Sequence, residues 1–214
     1  MVISAGRLGA DVVVHSISKF ISGGADILAG AVCGPASLLN SMMKVEDGAF
    51  MLLGPTMNPK VAFELWERLP HLGLRMKEHS RRALEYATKM KKLGLKVIYP
   101  GLQDHPDHAL FKSISNKDYG YGGILCVDME TQDKAYRLMD LLQNYAQFGF
   151  IAVSLGHHDT LMSCSASSTS SELSDEEKAL AGISPGLVRM SVGFTGTLDQ
   201  KWAQFEKALS KMNN

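Results

Sequence analysis

The densest group of chemically capable side chains is His15-Ser16-Ile17-Ser18-Lys19-Phe20, directly after the β-branched run Asp11-Val12-Val13-Val14 and ahead of Gly23-Gly24. Two hydroxyls precede one primary amine. Side chains alternate along an extended segment, so Ser16 and Ser18 are expected on one side, where both could donate to a phosphate while Lys19 projects nearby. An aldehyde with a phosphate tail would be gripped at both ends by such a trio. Spacing alone favours an ordinary strand end that carries a surface lysine.

Two other groups have the residue types of metal or redox sites. His157 and His158 are neighbours, and adjacent side chains are expected to point in different directions, which makes a poor metal site. No metal is expected. Cys33, Cys126 and Cys164 are far apart and form no CxxC pair. That usage argues against a zinc site or a disulfide framework and favours a reducing, cytoplasmic setting.

These candidates need elements to position them. Short apolar runs at 11–15, 27–32, 95–99, 123–129, 151–154 and 187–192 read as mostly buried strands. Between them, apolar residues at three- and four-residue spacing predict helices over 36–45, 60–93, 131–145, 174–182 and 198–212. Strands alternating with helices indicate an α/β chain. Pro70 and Gly73 should kink or break the long 60–93 stretch, and a domain boundary is placed there. Ahead of it, two strands have few elements to pair with, so the first part looks incomplete. Thr131 is placed to cap the helix that follows it. The Ser-rich run Ser163–Ser171 reads as a loop, in solvent by composition.

Composition excludes some functions. The chain has 214 residues, 45% of them hydrophobic, enough for a substantial core. Lys+Arg and Asp+Glu stand at 22 each, so no net field draws the protein to nucleic acid or an anionic membrane surface. No run approaches the roughly 20 apolar residues of a spanning helix.

The segment from Asp11 to Lys19 and on through Asp26-Ile27-Leu28-Ala29-Gly30 is similar to the lysine signature of the Cys/Met-metabolism (transsulfuration) family of pyridoxal-phosphate enzymes. Further similar stretches follow in order: Leu53-Gly54-Pro55, Val153-Ser154-Leu155-Gly156, and Gly186-Leu187-Val188-Arg189-Met190-Ser191-Val192-Gly193. The resemblance implies the end of a fold type I PLP-transferase large domain over residues 1–70, then a C-terminal substrate-binding α/β domain over 71–214. It implies that Lys19 holds pyridoxal 5'-phosphate covalently and shuttles a proton, with Ser16 and Ser18 on the phosphate. Arg189 would clamp the substrate α-carboxylate, a task suited to a planar guanidinium. Ser154 and the backbone around Leu155 would line the same pocket.

Val153 bears on specificity, because relatives that accept cystathionine tend to carry a glutamate immediately before Ser-Leu-Gly. A valine instead offers an apolar wall, and burying one methyl group is worth on the order of 1 kcal/mol. With the wording of Phe20 to Asp26, this resembles the plant branch that cleaves methionine by γ-elimination to 2-oxobutanoate, ammonia and methanethiol. Cystathionine synthases or lyases and O-acyl-homoserine sulfhydrylases remain alternatives, as does a catalytically inactive C-terminal interaction module. The family also implies a homotetramer with shared active sites.

Some family features are not matched. The family's pyridine-pairing aspartate lies roughly two dozen residues before the lysine, and its stacking aromatic and phosphate loop also precede this chain's start, so Met1 reads as an internal methionine of a longer parent. Ser163 to Ser168 also departs from the family's histidine-flanked wording, which puts the substrate loop in question.

Overall fold

The computed structural model describes residues 1–212. Its larger sheet has five strands in the order β3-β4-β7-β6-β5: β3 (Lys96–Ile98), β4 (Ile124–Asp128), β5 (Phe150–Ile151), β6 (Leu161–Cys164) and β7 (Leu187–Ser191). All neighbours are antiparallel except β5 and β6. A separate antiparallel pair joins β1 (Val13–Ser16) to β2 (Gly30–Cys33), with Ser16 opposite Gly30.

Alternation decides which face of the larger sheet becomes core. Leu125 and Val127 of β4, Met162 of β6, and Val188 and Met190 of β7 are at most 1% exposed. They meet α4 (Leu72–Lys92), α6 (Gln132–Asp140) and α8 (Leu198–Met212) through Tyr86, Met90, Leu138 and Phe205. With a period of two, Arg189 falls on the opposite face, where its registry partners are Cys126 and Ser163. The central strand thus carries core on one side and chemistry on the other.

The remaining helices are α1 (Ala36–Met42), α2 (Ala49–Leu53), α3 (Pro59–Arg68), α5 (His108–Ile114) and α7 (Asp175–Leu180). The stretch 60–93 is two helices, parted at Leu69–His71. Asn58 caps α3 by accepting from the Lys60 amide at 2.9 Å, with Pro59 in the first turn. Leu69 keeps helical backbone at φ −62° and ψ −41°, and the helix ends there because Pro70 has no N–H to continue the ladder, whereas Gly73 lies within the first turn of α4 and breaks nothing. Thr131 accepts from the Lys134 amide at 3.3 Å, as expected of the cap.

Three expectations need correction. Residues 11–15 and 27–32 do not form buried strands: Val14 is 73% and Leu28 94% exposed, and β2 begins only at Gly30. The apolar runs are there, but among the described residues no further strand lies over them. The Ser-rich run is not a solvent loop at its start, since Ser163 and Cys164 belong to β6, every residue of which is buried. Beyond β6 the chain curls back on itself, Ser168 donating to the Cys164 carbonyl at 2.6 Å. Leu161-Met162-Ser163-Cys164 has no β-branched residue, so its strand character comes from its neighbours β5 and β7. The strand expected over 151–154 stops at Ile151, leaving Ser154 in a loop. Among the described residues, no helix is long and apolar enough to cross a membrane.

Candidate active site

Lys19 does not continue β1. At Ile17 the chain leaves the extended state for a wide five-residue helical turn, Ile17–Ile21, and Lys19 sits in it with φ −97° and ψ −128°, outside the helical range. Local amides close the turn, Ser22 donating to the Ile17 carbonyl and Gly23 to the Lys19 carbonyl, each at 2.9 Å. Ser16 and Ser18 therefore do not share one face of an extended segment. Ser16 is exposed at the end of β1. The Ser18 hydroxyl accepts from the Ala29 amide at 3.0 Å and donates to the Ala29 carbonyl at 3.3 Å, which pins the turn to the residues before β2.

The lysine amine donates to the Ser154 hydroxyl at 3.1 Å. From the other side Arg189 Nη2 donates to the Ser154 carbonyl at 3.1 Å. Lys19 and Ser154, 135 positions apart, thus meet, with the β7 arginine beside them. Arg189 Nε is buried and has no hydrogen-bond partner among the described residues. Leu155 is half-buried and takes no part in these bonds, and Val153 is 62% exposed.

Gly156 brings the Ser154 loop against the turn. Its φ is +82°, and a Cβ there would stand 2.3 Å from the Phe20 amide nitrogen and 2.7 Å from the Lys19 carbonyl carbon. Only a glycine allows that approach. Its amide donates to Ser191 Oγ on β7 at 2.8 Å, so the loop is fastened to the strand that carries Arg189.

Helices α3 and α4 brace the turn from behind. Arg75 donates through Nη1 to the Phe20 carbonyl and through Nη2 to the Ile21 carbonyl, both at 2.7 Å. Burial, and then the nearby Arg68 charge, lower the Arg75 pKa from its ordinary value. Arg68 makes two bonds to the Asp26 carboxylate, at 2.6 and 2.7 Å, and holds that carboxyl below the usual range. His79 is fully buried between Phe20 and Phe194, edge to face with each, and its Nδ1 lies 2.6 Å from the Val192 carbonyl. Burial lowers its pKa, so the ring is neutral at pH 7 and Nδ1 carries the donated proton.

Arg75, Arg68 and His79 escape a reading of local sequence, because the backbone carbonyls, the Asp26 carboxylate and the aromatic rings that hold them at the turn are more than forty positions away. Gly156 belongs to a quoted motif, but only the packing shows what its missing side chain permits. His157 and His158 also differ from expectation: their rings lie side by side, centroids 3.8 Å apart, instead of diverging. A turn aligns them, in which the Asp159 amide donates to His157 Nδ1 and the His158 amide to the Gly23 carbonyl.

A family model for the Cys/Met metabolism PLP-dependent enzymes matches residues 1–210. The chain belongs to this family. Within it, the chain is 69% identical over 212 residues to a methionine gamma-lyase of Arabidopsis thaliana, covering 99% of this chain and 48% of that one. Its structure is similar to that of cystathionine gamma synthase from Xanthomonas oryzae pv. oryzae in complex with aminoacrylate and cysteine, with a TM-score of 0.85 and 27% identity over 99% of this chain and 53% of that one. It is also similar to an O-acetylhomoserine (thiol)-lyase from Campylobacter jejuni that carries a pyridoxyl-lysine phosphate, with a TM-score of 0.83 and 26% identity over 98% and 56% of the two chains. The chain therefore spans about half the length of these relatives.

The residues present fit the family's cofactor. A primary amine would suit an aldehyde, an exposed hydroxyl at the end of β1 and the adjoining turn would suit a phosphate, and a buried guanidinium N–H lies one serine away from the amine.

Proposed function

We propose that this chain belongs to a pyridoxal-phosphate-dependent carbon–sulfur lyase that converts L-methionine and water to 2-oxobutanoate, ammonia and methanethiol by γ-elimination. The observation that carries this reading is the convergence of Lys19 Nζ and Arg189 Nη2 on Ser154. The 69% identity to the Arabidopsis enzyme favours methionine over the other sulfur amino acids of the family.

Pyridoxal phosphate, when bound, supplies the electron sink for a carbanion at the substrate α-carbon. Lys19 would hold the cofactor through its aldehyde end and, once the substrate amine had taken its place, would take the proton from the substrate α-carbon and shuttle it onward rather than back, since that carbon ends as the keto carbon of 2-oxobutanoate. Ser154, bonded to the amine, keeps it aimed at that position. Arg189 binds the α-carboxylate with the donors that Ser154 leaves unused, including the buried Nε–H. Ser16 bonds the phosphate. Ser18, committed to Ala29, contributes by fixing the turn as much as by direct contact. Val153 offers an apolar wall to the S-methyl end, and the backbone at Leu155 lines the carboxylate side.

Residues 1–70 are the end of the PLP-binding domain and 71–214 the substrate-binding domain in this reading, a division supported by the helix break at Leu69–His71 and by the two separate sheets. The full protein works as a homo-oligomer in the cytoplasm, where Cys33, Cys126 and Cys164 remain thiols, as they are here.

Reconstitution with pyridoxal phosphate tests the proposal. The parent should develop a near-visible absorbance band and release methanethiol from methionine, and Lys19→Ala should lose both. A Lys19→Ala protein that retains both would sink the assignment of Lys19. A parent that binds the cofactor but releases thiol only from cystathionine would move the substrate to the runner-up.

A further inference from the structure

The amides of the segment that follows Lys19 bond within the turn, but its carbonyls are held from outside. Four consecutive carbonyls each accept from a distant donor: Phe20 and Ile21 from Arg75 at 2.7 Å, Ser22 from Arg68 Nη1 at 3.4 Å, and Gly23 from the His158 amide at 3.1 Å. Regular secondary structure would satisfy such a run from its own backbone. Here the Lys19 backbone lies outside the helical range, and the direction of its side chain is set by whatever fixes the peptides next to it.

Arg75 is the strongest of these donors. Its two terminal nitrogens span adjacent carbonyls, while its Nε donates to His71 Nδ1 at 3.0 Å. A half-buried guanidinium satisfied by carbonyls and an imidazole gives up solvation without a carboxylate in return, so general stability is a poor reason to place it there. The fit is tight. A Cβ on Gly23 would stand 2.4 Å from Arg75 Nη1.

We propose that Arg75 is a positioning residue for Lys19: by bridging the two carbonyls that follow the lysine, it sets the direction in which the amine leaves the turn toward Ser154. A planar fork reaches two carbonyls at once, whereas a lysine ammonium is a point donor and cannot hold both in the same plane. The inference rests on Lys19 being the cofactor lysine.

The test uses the full-length holoenzyme that carries these residues, loaded with pyridoxal phosphate, and compares Arg75→Lys, Arg75→Gln and Gly23→Ala with Arg81→Gln. Arg81 is on the same helix but pairs with Glu78 on its exposed side, so its variant should behave as the parent. Arg75→Lys should keep the cofactor band, lower kcat by roughly 10- to 100-fold with KM within about twofold, and move the pH midpoint of the band by about half a unit or more, because the amine is misdirected. Gly23→Ala, which crowds the guanidinium without removing it and also strains the backbone at φ +76°, should move the same midpoint.

Parent-like kcat and pH midpoint in both Arg75 variants would overturn the proposal and leave Arg75 a brace of the fold. Loss of the folded state in all three variants would overturn it equally. The underlying reading is checked separately: if Lys19→Ala keeps the band, the lysine assignment itself has failed, and the role of Arg75 fails with it.

Discussion

Replacing Gly156 with alanine probes the contact on which the site depends, the approach of the Ser154 loop to the lysine turn. Two costs add. At φ +82° an alanine sits in left-handed backbone, at about 1–2 kcal/mol. Its Cβ would also stand 2.3 Å from the Phe20 amide nitrogen and 2.7 Å from the Phe20 Cα, both backbone atoms that cannot rotate away. Overpacking of this kind costs about 1–3 kcal/mol. The sum is about 2–5 kcal/mol, which at roughly 2–4 °C per kcal/mol for a chain of this size lowers Tm by about 10 °C. Gly182→Ala supplies the control, since its φ is +68° with nothing within 4 Å of the added carbon, so it isolates the backbone cost. Circular dichroism melts read the stability difference, and a pyridoxal phosphate titration reads the site. Gly156→Ala should melt several degrees below Gly182→Ala and bind the cofactor more weakly, because the turn and Ser154 can no longer close on each other. Equal melting of the two variants, with parent-like cofactor binding, would refute the close approach and the geometry built on it.

Arg189→Ala should leave the cofactor band intact and lower kcat/KM for methionine by about 30- to 1000-fold, or roughly 2–4 kcal/mol; loss of the band instead would make the arginine structural. Glu78 answers to pH: hydrogen bonds from Arg81, and then Arg82, hold its carboxyl at about 2, below the ordinary 4.5. Its stabilisation is therefore complete above pH 4.5 and lost as pH falls toward 2. Since the group is about one-third exposed, solvent screening leaves on the order of 1 kcal/mol. Glu78→Gln should be less stable than the parent by that amount at pH 7, with the gap closing between pH 4.5 and 2 in denaturant titrations. A gap that persists at pH 2 would count against the ion pair.

Much of the fold was legible because the signals were local. Lys96–Ile98, Ile124–Asp128 and Leu187–Ser191 coincide with apolar runs, and α3, α4, α6 and α8 follow their helical spacing. Pro70 and Thr131 act on neighbours within a few residues, so break and cap could be read directly. The lysine signature and the arginine strand were legible in the same way, as contiguous wording. Strand β6 was not, since Leu161-Met162-Ser163-Cys164 becomes a strand only between β5 and β7. Exposure of β1 was hidden for the converse reason, an apolar run that no strand covers among the described residues.

The amino-acid sequence alone determined that Lys19, Ser154 and Arg189 are the residues to watch, because each lies in a stretch of family wording. What only the tertiary structure decided is how they meet. Ser154 lies 135 positions from Lys19 and 35 from Arg189, and local propensity carries no information about contacts at that separation. The sheet register puts Arg189 on the face away from the core, Gly156 lets the loop close, and Arg75 and Arg68 fix the turn through carbonyls that every residue type possesses. A bond to a carbonyl leaves no mark on the identity of the residue that supplies it, which is why the brace behind the lysine appears only in three dimensions.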